Sequence, residues 1–192
     1  MSNSAGFVCI ILAAGLARRF GGAKMLHPIS NGRAMLAQTI SRYQNSFDLI
    51  NVVYPKTDLD LAGFLNNQHV EALGIEDNSK GLSQSLITGI NGNLDAKGWL
   101  IALGDMPYVQ SQTIEQIKNE MKFNNIVIPR FHSRVGNPIG FGRDFKEQLL
   151  MLRGDVGAKA ITLENSISVV NVDVDDEGIL LDIDYPSSII RE

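Results

Sequence analysis

A chain of 192 residues with 44% hydrophobic content has the size and apolar share for one globular domain spanning residues 1–192. Its net charge of −4, with 17 scattered cations, excludes an extended nucleic-acid surface, which needs a dense Lys/Arg stripe, but leaves room for a local anion site. With no apolar run of about 18 residues and no basic, apolar leader at the start, the expectation is a cytoplasmic protein with neither a membrane nor a nucleic-acid partner.

The first predicted element is the apolar run 7–12, whose length and branching suit a buried strand. The single cysteine, Cys9, lies inside it and reads as a packed core thiol. Residues 12–24 continue as Leu-Ala-Ala-Gly-Leu-Ala-Arg-Arg-Phe-Gly-Gly-Ala-Lys, so small residues and cations leave a strand end together. That is a phosphate-binding arrangement. Ala13, Ala14 and Gly15 let backbone N–H groups approach an anion, Gly21 and Gly22 let the loop double back, and Arg19 and Lys24 bring positive charge. The segment is neither a P-loop, since no Gly-Lys-Ser/Thr leads into a helix, nor the dinucleotide fingerprint.

Further strands are predicted at 49–54, 98–103, 125–128 and 168–172, with helices at 34–45, 59–67, 82–91, 113–122 and 145–152. The alternation predicts a three-layer α/β fold, a mostly parallel central sheet with helices on both faces. Ligands gather at the carboxyl ends of the strands in such sheets, and the remaining motifs fall at those ends or in adjoining loops.

In chain order the first of these is residues 81–90, where Gly81 precedes a helix carrying Ser83 and Ser85, with Gly89 in its third turn. A planar base lying close to the backbone and a Ser-capped amphipathic helix both account for it. The run 99–107 is an apolar strand that stops at Gly104 and carries Asp105 at its tip before Pro107. A carboxylate there suits Mg²⁺, which takes one or two protein carboxylates and leaves its other positions to phosphate and water. A helix cap near Ser111 is the alternative. The turn-rich, basic stretch 129–138 holds Arg134, Gly136, Asn137 and Pro138, and 153–159 opens a helix with small residues around Asp155. His132 reads as a surface group, and Asp173, Asp175, Asp176 and Glu177 as a solvated turn. In 178–186, Asp182 and Asp184 alternate with apolar residues; in an extended segment both face one side, and either completes a metal site beside Asp105.

Residues 12–24 resemble the signature of the MobA-like nucleotidyltransferases, L-A-A/G-G-x-S-x-R-M-G-x-x-K. Leu12, Ala13, Ala14, Gly15, Arg19, Gly21 and Lys24 match it; Ala17 stands where Ser is usual and Phe20 where Met is frequent. The resemblance continues at Gly81, Ser85, Leu86 and Gly89 (G-x-x-x-S-L-x-x-G), at Gly104 and Asp105 (L-x-G/A-D-x-P), and along 129–138 and 153–159, so that nearly the whole chain is covered. It implies a Rossmann-like fold of the nucleotide-diphospho-sugar transferase type. It also implies nucleotide binding by Leu12, Ala13, Ala14, Gly15, Gly81, Ser85 and Gly104, with Arg19, Lys24 and Asp105 catalytic. Arg134, Gly136, Asn137, Pro138 and Asp155 fall on the acceptor side. The family's C-terminal pattern, D-x-D-T-P-E-D, favours Asp182 as partner of Asp105 on Mg²⁺, although Tyr185 and Ser187-Ser188 depart from it. Ala14 and the Gly-Leu-Ser-Gln-Ser-Leu segment lean toward the molybdenum cofactor cytidylyltransferase branch. The implied reaction moves CMP from CTP to a phosphorylated acceptor such as molybdopterin, with a molybdoenzyme or its chaperone as downstream partner.

Overall fold

The computed structural model describes residues 6–15, 20, 22–76, 81–154 and 157–189. Phe-Val-Cys-Ile-Ile-Leu forms β1 (Phe7–Leu12), buried from Val8 onward on both faces. Only a central strand of a covered sheet can be apolar on both sides. It pairs in parallel with β2 (Ile50–Pro55) and β4 (Gly98–Leu103), and β3 (Glu71–Ile75) joins β2, again in parallel. Beyond β4 lie β7 (Ile139–Gly142), antiparallel to it, and β5 (Ile126–Phe131), with β8 (Val169–Asp173) parallel to β5 and the two-residue β6 (Arg134–Val135) antiparallel to it. The eight strands form one sheet whose path runs β3-β2-β1-β4-β7-β5, the expected mostly parallel arrangement, with β7 and the short β6 reversed.

Among the described residues, six helices cover it: α1 (Met35–Tyr43), α2 (Leu59–Leu65), α3 (Leu82–Asn91), α4 (Ser111–Glu120), α5 (Lys146–Met151) and α6 (Lys159–Glu164). The two-residue period of β1 sorts them into layers. Cys9, Ile11 and Ala13 point with Leu100 and Ala102 to one face, against Leu36 and Ile40 of α1, Leu61 of α2 and Ile114 of α4. Val8, Ile10 and Leu12 point with Trp99 and Ile101 to the other, against Leu86 and Ile90 of α3, Leu149 of α5 and Ile161 of α6. Each aliphatic chain fully buried this way stabilises the fold by about 2 kcal/mol. Among the described residues no helix is long and apolar enough to cross a membrane.

Strands β3, β6 and β7 and the range of helix α6 are not among the predicted elements, and two further features near the site differ from the sequence reading. The segment after β8 is not a strand: a 3-10 turn occupies Glu177–Leu180, and residues 181–184 run on irregularly. Nor is Asp176 part of a solvated turn. While Asp173, Asp175 and Glu177 are exposed, Asp176 is only 2% exposed, its carboxylate consumed by backbone N–H donors.

Candidate active site

β1 and β4 end side by side, and the chain leaving each is tied to its neighbours by backbone bonds. Ala13 N–H donates to the Val53 carbonyl at 2.8 Å, and Gly104 N–H donates to the Leu12 carbonyl at 2.9 Å. Thr39 of α1 completes the tie: its buried hydroxyl donates to the Gly104 carbonyl at 2.9 Å and reaches the Met35 carbonyl at 3.1 Å. Asp105 therefore leaves β4 on a fixed backbone. Thr39 was invisible as a site-supporting residue, because a Thr within an amphipathic helix carries no signal of what it touches.

Lys24 opens a short 3-10 turn, Lys24–Leu26, and its side chain is 7% exposed. Its Nζ donates to Asp105 Oδ2 at 2.6 Å and to Asp184 Oδ1 at 3.4 Å. A loop after β1, the tip of β4 and the C-terminal segment thus meet at one ammonium. Asp184, and not Asp182, is the second carboxylate here. The cause is a single anchor, Ile183 N–H donating to the Asp105 carbonyl at 3.0 Å, which brings the following residue over the site; Asp182, on the other side of the buried Ile183, is exposed. Arg19 of the same loop, with Ala17 and Gly21, and Asp155 on the acceptor side lie outside the described residues.

Two cavities flank these strand ends, the first lined by Lys24 and the second by Leu12 and Leu103. One, of about 610 Å³, is lined by Ala13, Gly15, Gly22, Ala23 and Lys24 on the loop after β1, by Pro55 at the end of β2, and by Thr57 and Asp58 between β2 and α2. Asp58 is committed locally, capping α2 by accepting from Leu61 N–H at 2.9 Å. Lys56 and Glu76 form an exposed pair at 2.5 Å, and the hydrogen bond to Glu76 holds the Lys56 ammonium above its usual pKa.

The other cavity, of about 510 Å³, lies on the α3/α6 face of the sheet. Its floor is aliphatic, from Leu12, Ile101, Leu103, Ile128, Ile139 and Val169, with Leu82 and Leu86 of α3 above. Asn137, Asn171, Lys159, Thr162 and Ser166 supply polar groups. Gly136 and Asn137 belong to this wall. Gly136 passes so close to the 3-10 turn that a Cβ would lie 2.3 Å from the Ile179 carbonyl oxygen, and Asn137 N–H donates to that same oxygen at 2.9 Å. Pro138, after a cis peptide bond, is buried; Arg134 is exposed on β6 and does not line the cavity. His132 is exposed, as expected, stacked 4.1 Å from Phe131.

The residues expected to bind nucleotide divide. Ala13 and Gly15 face the 610 Å³ cavity, Leu12 the 510 Å³ one, and Ala14 packs into the core. Gly81 precedes α3 with φ +85°, a conformation that L side chains rarely adopt. Ser83 and Ser85 are buried in α3. Gly89, grouped with them by spacing, turns instead onto the sheet, where a Cβ would stand 2.4 Å from Ile10 Cγ2.

The sequence pattern described as MobA-like NTP transferase domain matches residues 9–168. Among curated proteins, the chain is 29% identical over 148 residues to the "Probable molybdenum cofactor guanylyltransferase" of Pyrococcus horikoshii, covering 74% of this chain and 72% of that one. It is 28% identical over 142 residues to the bifunctional protein GlmU of Pseudothermotoga lettingae, 73% of this chain but 31% of the relative, so it spans about a third of GlmU's length. Among solved structures, Rv0371c of Mycobacterium tuberculosis superposes with a TM-score of 0.85 at 24% identity over 96% of both chains. This likeness establishes the fold.

Proposed function

The chain belongs to the MobA-like NTP transferase family, and on that premise we propose that it transfers CMP from CTP to the phosphate of a small acceptor of the molybdopterin class. A phosphate oxygen of the acceptor attacks the α-phosphorus, the bond to the bridging oxygen breaks, and pyrophosphate leaves without a covalent enzyme intermediate. The observation that carries this reading is the meeting of Lys24, Asp105 and Asp184 at the strand ends, beside the small-residue backbone of Ala13 and Gly15. Lys24 contributes a cation toward the phosphates, and backbone N–H groups of the loop, with Arg19, contribute the rest of the anion-binding field.

The donor set also fits a divalent metal. Asp105 and Asp184 already turn one oxygen each toward a single cationic centre, and two carboxylates are what Mg²⁺ takes from protein when phosphate and water complete its shell. Held by them, magnesium would neutralise charge on the triphosphate.

The 510 Å³ cavity supports the acceptor class. Its floor of Leu, Ile and Val suits the face of a flat heteroaromatic ring better than a sugar, whose hydroxyls would be left without partners there. Asn137 and Lys159 stand available for the ring's polar edge and the phosphate. The alternative acceptor class is a sugar or polyol phosphate. The test is pyrophosphate release with each of the four NTPs, Mg²⁺ and either a pterin monophosphate or a sugar 1-phosphate. Release with CTP and the pterin is expected. Release with GTP instead would reassign the base, release with the sugar alone would reassign the acceptor, and no release with any pair would leave a non-catalytic nucleotide or pterin carrier.

A further inference from the structure

Asp105 and Asp184 come from opposite parts of the chain, and their separation is decided by what joins the loop after β4 to the segment after β8. One junction is the bond from Ile183 N–H to the Asp105 carbonyl. The other is Asp176. This carboxylate is 2% exposed and sits apart from Lys24. Its Oδ2 accepts from Gln110 N–H at 2.8 Å and its Oδ1 from Gly178 N–H at 2.9 Å. A buried carboxylate is costly unless its lone pairs are met, and here a backbone N–H meets each oxygen, one from its own turn and one from across the fold. Gln110 caps the ten-residue α4, where negative charge is also favoured by the helix dipole. The contact is tight: a Cβ on Gly178 would lie 2.4 Å from the Tyr108 carbonyl oxygen. From the same 3-10 turn, the Ile179 carbonyl accepts from Asn137 N–H, so one bracket grips the carboxylate loop at Asp176 and the wall of the 510 Å³ cavity at Ile179.

We propose that Asp176 is a positioning residue, holding the C-terminal segment against the loop after β4 so that Asp184 stands opposite Asp105. The proposal rests on the reading of Asp105 and Asp184 as the metal-holding pair. In Asp176→Asn one oxygen still accepts, while the new NH₂ faces an N–H donor, and the bracket loosens. Gln110→Pro removes the N–H bound to Oδ2 and leaves the carboxylate in place; the Gln110 φ of −78° suits the proline ring.

The experiment measures Mn²⁺ affinity of the nucleotide-free protein by the paramagnetic signal of free Mn²⁺, alongside kcat, KM for CTP and Tm. Both variants should weaken Mn²⁺ binding on the order of tenfold and lower kcat in parallel, with KM for CTP within about twofold. A lowered Tm with unchanged Mn²⁺ affinity and kcat in folded protein would overturn the proposal and leave Asp176 a fold-stabilising group. Gln110→Pro keeps the question open to measurement should Asp176→Asn fail to fold. Asp105→Asn separates the two layers of inference. If it spares Mn²⁺ affinity, the metal pair itself is misassigned and the proposal falls with it. If it abolishes binding while the Asp176 and Gln110 variants retain it, only the positioning role fails.

Discussion

At the scale of single residues, the site is an ammonium between two carboxylates, and each member does a different job. Lys24 is 7% exposed, and its ammonium meets the carboxylates of Asp105 and Asp184. Lys24→Ala should leave a folded protein whose kcat/KM is lower by about 10²-fold, since the lost charge faces phosphate charge that grows during reaction. Turnover matching the parent would remove Lys24 from the phosphate site. The acids can be ranked by place. Asp105→Asn should abolish metal-dependent turnover, because an amide keeps the shape but not the anionic oxygen. Asp184→Asn should follow closely, since Asp184 reaches the same nitrogen, whereas Asp182→Asn, altering an exposed side chain, should change kcat less than about twofold. The reverse order for 182 and 184 in steady-state assays would return the second carboxylate to Asp182.

At the scale of elements, the site depends on how closely α3 lies on the sheet, and Gly89 sets that distance. A methyl there would meet Ile10 Cγ2 at 2.4 Å, and Ile10 is wholly buried, so the helix must shift outward. Gly89→Ala should cost about 1–3 kcal/mol by overpacking, read as a fall of several degrees in Tm by differential scanning fluorimetry. An unchanged Tm would mean α3 is docked differently. How much was legible follows from the same packing. β1 and β4 announced themselves because burial on both faces demands unbroken apolar runs. β3 and β7 did not: Glu-Ala-Leu-Gly-Ile is a half-buried edge, and two glycines in Ile-Gly-Phe-Gly dilute the signature of a strand. The loop after β1 stood out in the sequence because small residues and cations are concentrated over a few positions. The choice of Asp184 was not, since it hangs on one backbone bond between Ile183 and Asp105, and backbone bonds leave no mark on side-chain identity. Asp176 was hidden by its charged neighbours, which share its chemistry and not its burial.

At the scale of the whole molecule, the layer under α1, α2 and α4 holds a buried thiol and a buried phenol. Cys9 is 0% exposed and Tyr43 1% exposed. Burial pushes the Cys9 thiol well above its usual range, and burial, then the neighbouring charges of Cys9 and Asp176, does the same to the Tyr43 hydroxyl. In the unfolded chain these groups lose their protons near about pH 8.5 and about pH 10. The folded chain keeps both protons there, so above those values the unfolded state binds fewer protons and stability falls as pH rises. Below about pH 8.5 both states hold both protons and the two groups contribute no slope. Urea denaturation should accordingly show stability losing up to about 1.4 kcal/mol per pH unit once the Cys9 difference has developed, and more steeply once Tyr43 joins it. Cys9→Ala isolates the first step. It lowers stability at every pH by the lost packing, but should delay the alkaline decline until Tyr43 begins to titrate in the unfolded chain, near about pH 10. Parallel curves for parent and Cys9→Ala between about pH 8.5 and 10 would show that Cys9 ionises as readily in the folded sheet as out of it, against the burial that places it at the centre of β1.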